Sequence, residues 1–190
     1  MKPLGPLSHG DVSLRLVRRL DALQVQYLLD SDREWLEKWE ATSPGIRSEV
    51  NARWLISNLI SQARRGTGLG FVIRYKGQIV GQLNVANILY GSVSSATIGY
   101  WIASNFAGKN ITPTAVALAI DYLFDEVGLH RIEIDIRPEN QPSLRVVEKL
   151  GLRCEGLKER FIHIDGAWRD HKIFAITKEE HQGSLLRRLS

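Results

Sequence analysis

The sequence predicts an α+β fold in which one mixed sheet is flanked by helices. Segments in which apolar residues alternate with polar ones are interleaved with segments of 3.6-residue apolar periodicity. Two-residue turns, Lys76-Gly77 and Asp165-Gly166, join alternating segments as antiparallel hairpins. Other strands are separated by helical segments that supply crossover connections. Hairpins and crossovers therefore share one sheet.

The first third of the chain predicts one strand and three helices. Val12 to Arg18 alternates as a half-buried strand does. Asp21 has the chemistry of an N-cap for a short helix that runs through Leu29. A second helical stretch is predicted from Asp32 to Glu40. A longer helix is predicted from Ser48 to Arg65, and its first residue suits an N-cap.

The remaining elements follow from the same two periodicities. Strands are predicted over Gly70 to Tyr75, Gln78 to Ala86, Thr97 to Ile102, His130 to Ile136, Arg160 to Ile164 and Trp168 to Thr177. Helices are predicted from about Thr112 to Val127 and from Pro142 to Leu150, and a glycine ends each one. The first of them turns five apolar residues toward the sheet: Val116, Ala119, Ile120, Leu123 and Phe124. We expect one domain over residues 1–190, with a core over 10–178 and short tails.

The composition is that of a soluble globular protein, with 44% hydrophobic and 24% charged residues among 190. The formal net charge is only +4 and the basic residues occur as scattered pairs, which indicates no specific nucleic-acid partner. Cys154 is the single cysteine, so we interpret it as a small packing residue. Without a signal-peptide pattern or an apolar run of about 18 residues, we expect a cytoplasmic protein that does not enter a membrane.

Two stretches carry the candidate chemistry. Thr97 to Phe124 is a strand, a glycine-containing loop and a helix, so orphan amides, the helix dipole and Lys109 converge on one place that suits a phosphate. Taken alone, this stretch also fits an ordinary strand-to-helix connection. Arg137 to Ser143 follows a strand and opens a helix. Its Asn140 and Ser143, taken alone, fit helix caps.

Together these stretches resemble the GNAT acetyltransferase superfamily. Within it, the chain resembles the ribosomal-protein-alanine N-acetyltransferase (RimJ/RimL-like) branch, from about Gly10 to Thr177. Six motifs in order carry the resemblance: Ile98 to Ile102, Ala107 to Ala115, Gly128 to Glu133, Arg137 to Ser143, Val147 to Leu152 and Ile164 to His171.

The resemblance implies a splayed sheet that parts near the strands carrying Trp101 and Ile134, with acetyl-CoA in the V-shaped gap and no metal. It assigns the pantetheine amides to the backbone of Trp101, Ile102 and Ala103. It assigns the pyrophosphate to the loop residues Ala107, Gly108, Lys109, Asn110, Ile111 and Thr112. Asn140 would bond the pantetheine arm, and Ser143 would lie near the sulfur as the acid for the leaving thiolate.

The loop departs from the superfamily pattern Q/R-x-x-G-x-G/A, because Ala107, Asn110 and Thr112 occupy its three defined positions. Asparagine is the most tolerable substitute for the middle glycine, since it adopts the left-handed conformation more readily than other residues. Thr112 adds a hydroxyl that can cap the helix or bond a phosphate. A degenerate, non-catalytic CoA-binding protein remains an alternative.

The implied activity is acetyl transfer to a primary amine, foremost the N-terminal amine of a protein such as a ribosomal protein. A small-molecule amine is an alternative acceptor, and binding to nucleic acid or the ribosome is a weaker alternative. Relatives often dimerise, so a homodimer is possible. Trp35 and Trp39 form an aromatic pair that fits either the core or, by resemblance, an acceptor-pocket wall.

The general base is not assigned. Relatives often carry a glutamate where this chain has Thr97. The other candidates are Glu133, Asp135, Glu159 and His163, and for each a solvated or ion-paired role is the stronger interpretation.

Overall fold

The computed structural model describes residues 5–45 and 51–189. The strands are β1 Leu7–His9, β2 Val12–Leu16, β3 Leu69–Tyr75, β4 Gln78–Leu89, β5 Ser95–Ile102, β6 Arg131–Ile136, β7 Arg153–Ile164 and β8 Ala167–Thr177. They form one sheet in the order β1-β2-β3-β4-β5-β6-β8-β7. Every neighbouring pair is antiparallel except β5 and β6, so the predicted mixed sheet is confirmed.

Helices cover both faces of this sheet. They are α1 Ala22–Ser31, α2 Arg33–Leu36, α3 Ala52–Arg65, α4 Ile111–Asp125, α5 Gln141–Lys149 and α6 Lys178–His181. Two buried clusters separate the faces, because α4 and α5 contribute to the larger cluster, whereas α1 and α3 contribute to the smaller one. Among the described residues, no helix combines the length and the apolar character needed to cross a bilayer.

Helix α4 is the centre of the larger cluster. Its five predicted sheet-facing residues, Val116, Ala119, Ile120, Leu123 and Phe124, are fully buried, as packing against the sheet requires. Nearly every other residue of α4 is buried as well, because β1, β2, α5 and the C-terminal residues pack around it. A helix that is apolar on all sides suits such a position.

The sheet parts between its two parallel strands. β5 and β6 pair only from Ser95 to Thr97, against Arg131 to Glu133. Beyond that point β5 stays paired with β4 to Ile102, and β6 stays paired with β8 to Ile136. The two strands therefore diverge into a V, as the family resemblance implies.

Asp21 is the N-cap residue of α1, as predicted, but its side chain makes no capping hydrogen bond. The carboxylate of Asp21 accepts the Arg18 N–H at 2.7 Å and pairs with Arg15 at 2.7 Å, so it closes the turn before α1 and does not cap α1 with its side chain. Ser48 lies outside the described residues. Helix α3 begins at Ala52, where Asn51 Oδ1 accepts the Trp54 N–H at 3.1 Å.

Strand β7 is seven residues longer at its start than the predicted Arg160 to Ile164. Its first half lacks apolar alternation because it lies at the edge of the sheet, mostly exposed, and pairs with β8 through its backbone. Cys154 lies in this half and is exposed, so its interpretation as a packing residue is wrong. A strand at the edge of a sheet is defined by its pairing with a neighbour and not by apolar alternation, so a search for periodicity does not detect it.

The residues after Thr177, predicted as a tail, pack against α4. Leu185 is fully buried in the larger cluster. Asp121 of α4 holds this segment, since its carboxylate accepts the Ser184 hydroxyl at 2.5 Å and the Leu185 N–H at 2.9 Å. His181 Nε2 lies 2.7 Å from the same carboxylate. The packed core therefore extends beyond residue 178.

The substitution Asp121→Ala tests this attachment. It removes a part-buried carboxylate and leaves its three hydrogen-bonding partners without an acceptor. We therefore expect the free energy of unfolding to fall by about 1–3 kcal/mol. Urea denaturation measures the loss. The matched control is Asp125→Ala, one turn later on α4, where the side chain is half exposed and its ion pairs are long at 3.9 Å. Equal losses in both variants would contradict the proposed attachment.

Candidate active site

A cavity of about 750 Å³ occupies the gap between the diverging strands. One half is lined by the loop after β5, the start of α4 and one face of α5. The other half is lined by residues near α2 and α3, including Trp35, Trp39, Glu40 and Trp54. A large concave site with a few polar groups among apolar walls is typical of a small-molecule binding site.

Every second backbone position of β5 faces the gap, and Ile102 is the last of them. The Ala103 N–H, just after β5, donates to the Val80 carbonyl of β4 at 2.9 Å. Backbone groups alternate in direction along a strand, so Ile102 turns its N–H and carbonyl away from β4 and toward the gap. Trp101 and Ala103 point the other way. Of the three predicted backbone contacts, the strand geometry therefore supports Ile102 and disfavours the other two.

The loop enters α4 through two residues with positive φ. Gly108 has φ 76° and Asn110 has φ 57°, in the left-handed region, so the predicted tolerance of asparagine at this position is confirmed. The Asn110 carbonyl accepts both the N–H and the hydroxyl of Thr114, at 3.2 and 2.8 Å. The N–H groups of Ile111 and Thr112 precede any intrahelical acceptor, and they remain available to a ligand.

The charge around this loop comes from outside it. Ala107 offers no polar side chain, and the Lys109 ammonium lies over the Phe106 ring, 5.3 Å from its centroid. The Lys149 ammonium of α5 donates to Asn110 Oδ1 at 2.5 Å. Arg145 and Lys149 are the cations among the described residues that line the cavity. Sequence reasoning missed both, because nothing in the sequence places α5 against the loop.

Asn140 and Ser143 lie at the start of α5 and line the cavity. Asn140 Oδ1 caps the helix by accepting the Ser143 N–H at 3.2 Å. Its Nδ2 has no hydrogen-bond partner within the described chain, and the Ser143 hydroxyl lies beside Tyr100, so the cap itself engages neither group. The cap and the predicted cofactor contact are compatible.

Tyr100 is a site residue that the sequence did not reveal. Its hydroxyl points toward the Ser143 carbonyl oxygen, at a long 3.5 Å, and the residue lines the cavity. Removal from water raises the pKa of Tyr100, and the contact with Ser143 opposes this only partly. The phenol therefore stays protonated at neutral pH.

The aromatic pair lies on the opposite wall. The Trp35 indole N–H donates to the gap-facing Ile102 carbonyl at 3.1 Å. The Trp39 ring is flanked by Lys38, 5.8 Å from its centroid, and by Arg137 at 5.3 Å. Both tryptophans line the cavity, and Trp35 also packs against the smaller core cluster. The predicted alternatives, core or pocket wall, both hold for Trp35.

Residues 32–42, which we call the bridging segment, contact both arms of the V. The Asp32 carboxylate accepts the N–H and the hydroxyl of Ser104, at 2.5 and 2.7 Å, beyond the end of β5. The Lys38 carbonyl accepts from Arg137, which follows β6, at 2.7 Å. The two contacts join residues that are separated by 72 and 99 positions in the sequence, so no local sequence pattern predicts them.

The bridging segment also reaches the outermost hairpin. Thr42 Oγ1 lies 2.7 Å from His163 Nδ1, and the Thr42 N–H donates to the His163 carbonyl at 2.8 Å. The wall of the cavity that carries Trp35 and Trp39 is therefore fixed to β5, β6 and β7 together.

None of the four candidate bases lines the cavity within the described residues. Glu133 is paired with Arg131 at 2.7 Å, and Asp135 with Lys158 at 3.1 Å, which confirms ion-paired roles for these two. The cavity-lining carboxylate of the described chain is instead Glu40, paired with Arg33 at 2.5 Å. The described residues contain no group of three or more histidine, cysteine or acidic side chains arranged around a metal position.

The protein has the fold of a GNAT acetyltransferase. Two parallel strands diverge, the start of α4 presents free amides beside the gap, and the capped helix α5 also lines it. The acetyltransferase (GNAT) domain family matches residues 11–153, and the chain belongs to this family. It is an acetyltransferase of the RimJ/RimL type.

Relatives of known structure or name support that placement. A structure described as Mycobacterium smegmatis RimJ in complex with CoA-disulfide is 42% identical, covers 99% of this chain and 94% of that chain, and superposes with a TM-score of 0.91. The [Ribosomal protein uS5]-alanine N-acetyltransferase of Escherichia coli K12 is 29% identical over 86% of each chain. The probable N-acetyltransferase YjcK of Bacillus subtilis is 37% identical over 55% of this chain and 58% of its own length.

The substitution Asn140→Ser separates the two roles of this residue. Serine caps a helix about as well as asparagine but has no amide N–H₂. We expect an unchanged melting temperature and a roughly three- to tenfold weaker affinity for CoA, the worth of one hydrogen bond. Calorimetric titration measures the affinity. The control Asn140→Ala should lose stability as well, and undiminished CoA affinity in Asn140→Ser would remove the amide from the site.

Proposed function

We propose that this protein transfers the acetyl group of acetyl-CoA to the N-terminal amine of a protein, by direct attack of the amine within a ternary complex. One observation carries the proposal. A single cavity is lined both by the amide-rich entry to α4 and by tryptophans and a carboxylate, and Ile102 and Ser143 line it as well. Such a site accommodates two substrates at once.

The residues of the first half fit acetyl-CoA. Ile102 offers a strand-like N–H to the pantetheine arm, and the orphan amides of Ile111 and Thr112 suit its diphosphate. Lys149 and Arg145 add positive charge, whereas the carboxylate of the described cavity wall, Glu40, lies in the other half. The M. smegmatis relative was solved in complex with CoA-disulfide, which supports the use of CoA by this chain.

Acetyl-CoA supplies an activated acetyl group as a thioester. A second gap-facing backbone N–H of β5, near Ile102, would stabilise the charge that develops on the thioester oxygen during attack. The amine nitrogen forms its bond to the acetyl carbon while the carbon–sulfur bond breaks and the electron pair leaves with sulfur. The Ser143 hydroxyl would pass a proton to that sulfur and regain one from water. The proton lost by the amine goes to solvent, through a base that remains unassigned.

The second half of the cavity favours an acceptor of low basicity. An N-terminal amine has a pKa near 8, so about a tenth or more is neutral at pH 7, whereas a lysine amine with a pKa near 10.4 is almost wholly protonated. Glu40 is ion-paired and hence poorly suited to strip a proton, but its negative charge can attract a cationic amine before reaction. An acceptor that needs little help with deprotonation fits this wall.

The proposed acceptor class is a ribosomal protein whose chain begins with a small residue. The E. coli relative is named for acetylating the alanine of ribosomal protein uS5. A similar acceptor for this chain, met in the cytoplasm, is the proposal that follows from that likeness. Small-molecule amines are the alternative that the experiment below separates.

The direct test is thiol release from acetyl-CoA against an acceptor panel. We expect turnover with peptides that begin with alanine, serine or threonine, and none with the same peptides blocked at the N-terminus. Spermidine and an aminoglycoside represent the small-molecule alternative. Glu40→Gln should raise KM for the peptide several-fold and leave KM for acetyl-CoA unchanged. Turnover confined to small amines, or CoA binding with no turnover at all, would contradict the proposal.

Ser143 is tested by removing its hydroxyl alone. Ser143→Ala should lower kcat roughly a hundredfold, because a positioned acid contributes about that much or more. The CoA dissociation constant should change little, since the helix cap depends on the Ser143 N–H and not on its side chain. Ser143→Thr, which keeps a hydroxyl, is the matched control. An unchanged kcat in the alanine variant would remove Ser143 from the mechanism.

A further inference from the structure

We propose that Lys149, at the end of α5, supplies the cationic contact to the CoA diphosphate that the loop before α4 lacks. The inference rests on the proposed use of acetyl-CoA and adds to it a residue from a different element. It follows from three features of this chain: the position of the Lys149 ammonium, the absence of a polar side chain at Ala107, and the left-handed Asn110 between them.

The ammonium lies at the entry to α4. Lys149 Nζ donates to Asn110 Oδ1 at 2.5 Å, and Asn110 directly precedes the helix. The orphan N–H groups of Ile111 and Thr112 therefore open beside it. Lys149, Asn110, Ile111 and Thr112 all line the cavity, so the cation and the amides are presented to the same space.

The partner of Lys149 leaves its charge uncompensated. Asn110 is neutral, and no ion pair of Lys149 occurs within residues 5–45 and 51–189. An ammonium has three donors, so it can keep Asn110 and still reach an oxygen of a phosphate. Arg145 lies one turn earlier on the same face of α5 and extends the positive wall.

The loop's own lysine, Lys109, is not among the residues that line the cavity. Ala107 is apolar, and the Lys109 ammonium is directed over the Phe106 ring. The Asn110 side chain holds the Lys149 ammonium by a hydrogen bond, while the Asn110 backbone leads into α4. Two departures in one loop are thus linked: a missing polar residue at position 107 and an asparagine at position 110 that recruits a lysine from α5.

The alternative is that Lys149 only fastens α5 to the loop. A purely structural lysine would act through Asn110, so removing the asparagine side chain would have the same effect as removing the lysine. A cofactor-binding lysine would matter far more than its partner. Asn110→Gly makes this comparison possible, because glycine adopts the required positive φ without strain.

Calorimetric titration with CoA and with dephospho-CoA, at low and high salt, tests the inference. We expect Lys149→Gln to weaken both ligands alike, by about 10- to 100-fold, the range of a hydrogen bond to a charged group. Its affinity should also fall less steeply with salt than that of the unaltered chain. Asn110→Gly should cost only two- to threefold. Arg64→Gln, an exposed residue of α3 with the same loss of charge, should match the unaltered chain.

Three results would overturn the inference. Loss of affinity for CoA but not for dephospho-CoA would place the ammonium at the 3′-phosphate. Equal losses in Lys149→Gln and Asn110→Gly would make the lysine a structural tie. An unaffected Lys149→Gln would remove it from the site. Failure of the unaltered chain to bind CoA would instead overturn the proposed function itself. Lys149 is exposed, so its replacement should leave the melting temperature within a degree or two of the original.

Discussion

The short pairing between β5 and β6 is the constraint on which the site depends. Three residues of each strand pair in parallel, and beyond Thr97 the two backbones separate. Polar backbone groups that leave a ladder need other partners. The Ile102 carbonyl finds one in the Trp35 indole, whereas its N–H faces the cavity. The gap is thereby both stable without a ligand and open to one.

The two walls of the gap are positioned by different parts of the chain. Helix α4 is held by burial on almost every side, which fixes the amides at its start. The bridging segment contains two short helical turns, and Asp32, Lys38 and Thr42 attach it to three separate places. A wall tied to both arms of the V keeps its distance from the start of α4, as the proposed transfer between two bound substrates would require.

Local chemistry predicted the parts of the fold that depend on neighbours in sequence. Both two-residue turns and the burial of the predicted α4 residues follow from residue type and spacing, and the structure confirms them. The left-handed Asn110, also confirmed, was expected from the loop pattern of the family it resembles. The family resemblance added the splayed sheet, which no periodicity shows. The first half of edge strand β7 and the packed C-terminal residues were missed, since their stability comes from β8 and from Asp121 of α4.

The site was harder to predict than the fold for the same reason. Asn140 and Ser143 carry a motif, but Glu40, Tyr100 and Lys149 enter the cavity only through tertiary packing. Asp21 is an example of a residue type that suits an N-cap but whose carboxylate forms an ion pair with Arg15, six positions earlier. Sequence spacing locates a phosphate site, and it does not identify which distant side chains complete that site.

A crystal structure of the protein grown with CoA tests the central claim most directly. The account predicts electron density for the pantetheine arm between the parted ends of β5 and β6, with the Ile102 N–H in hydrogen-bond contact and the diphosphate at the start of α4. CoA bound anywhere else on the molecule, with this gap left empty, would contradict it.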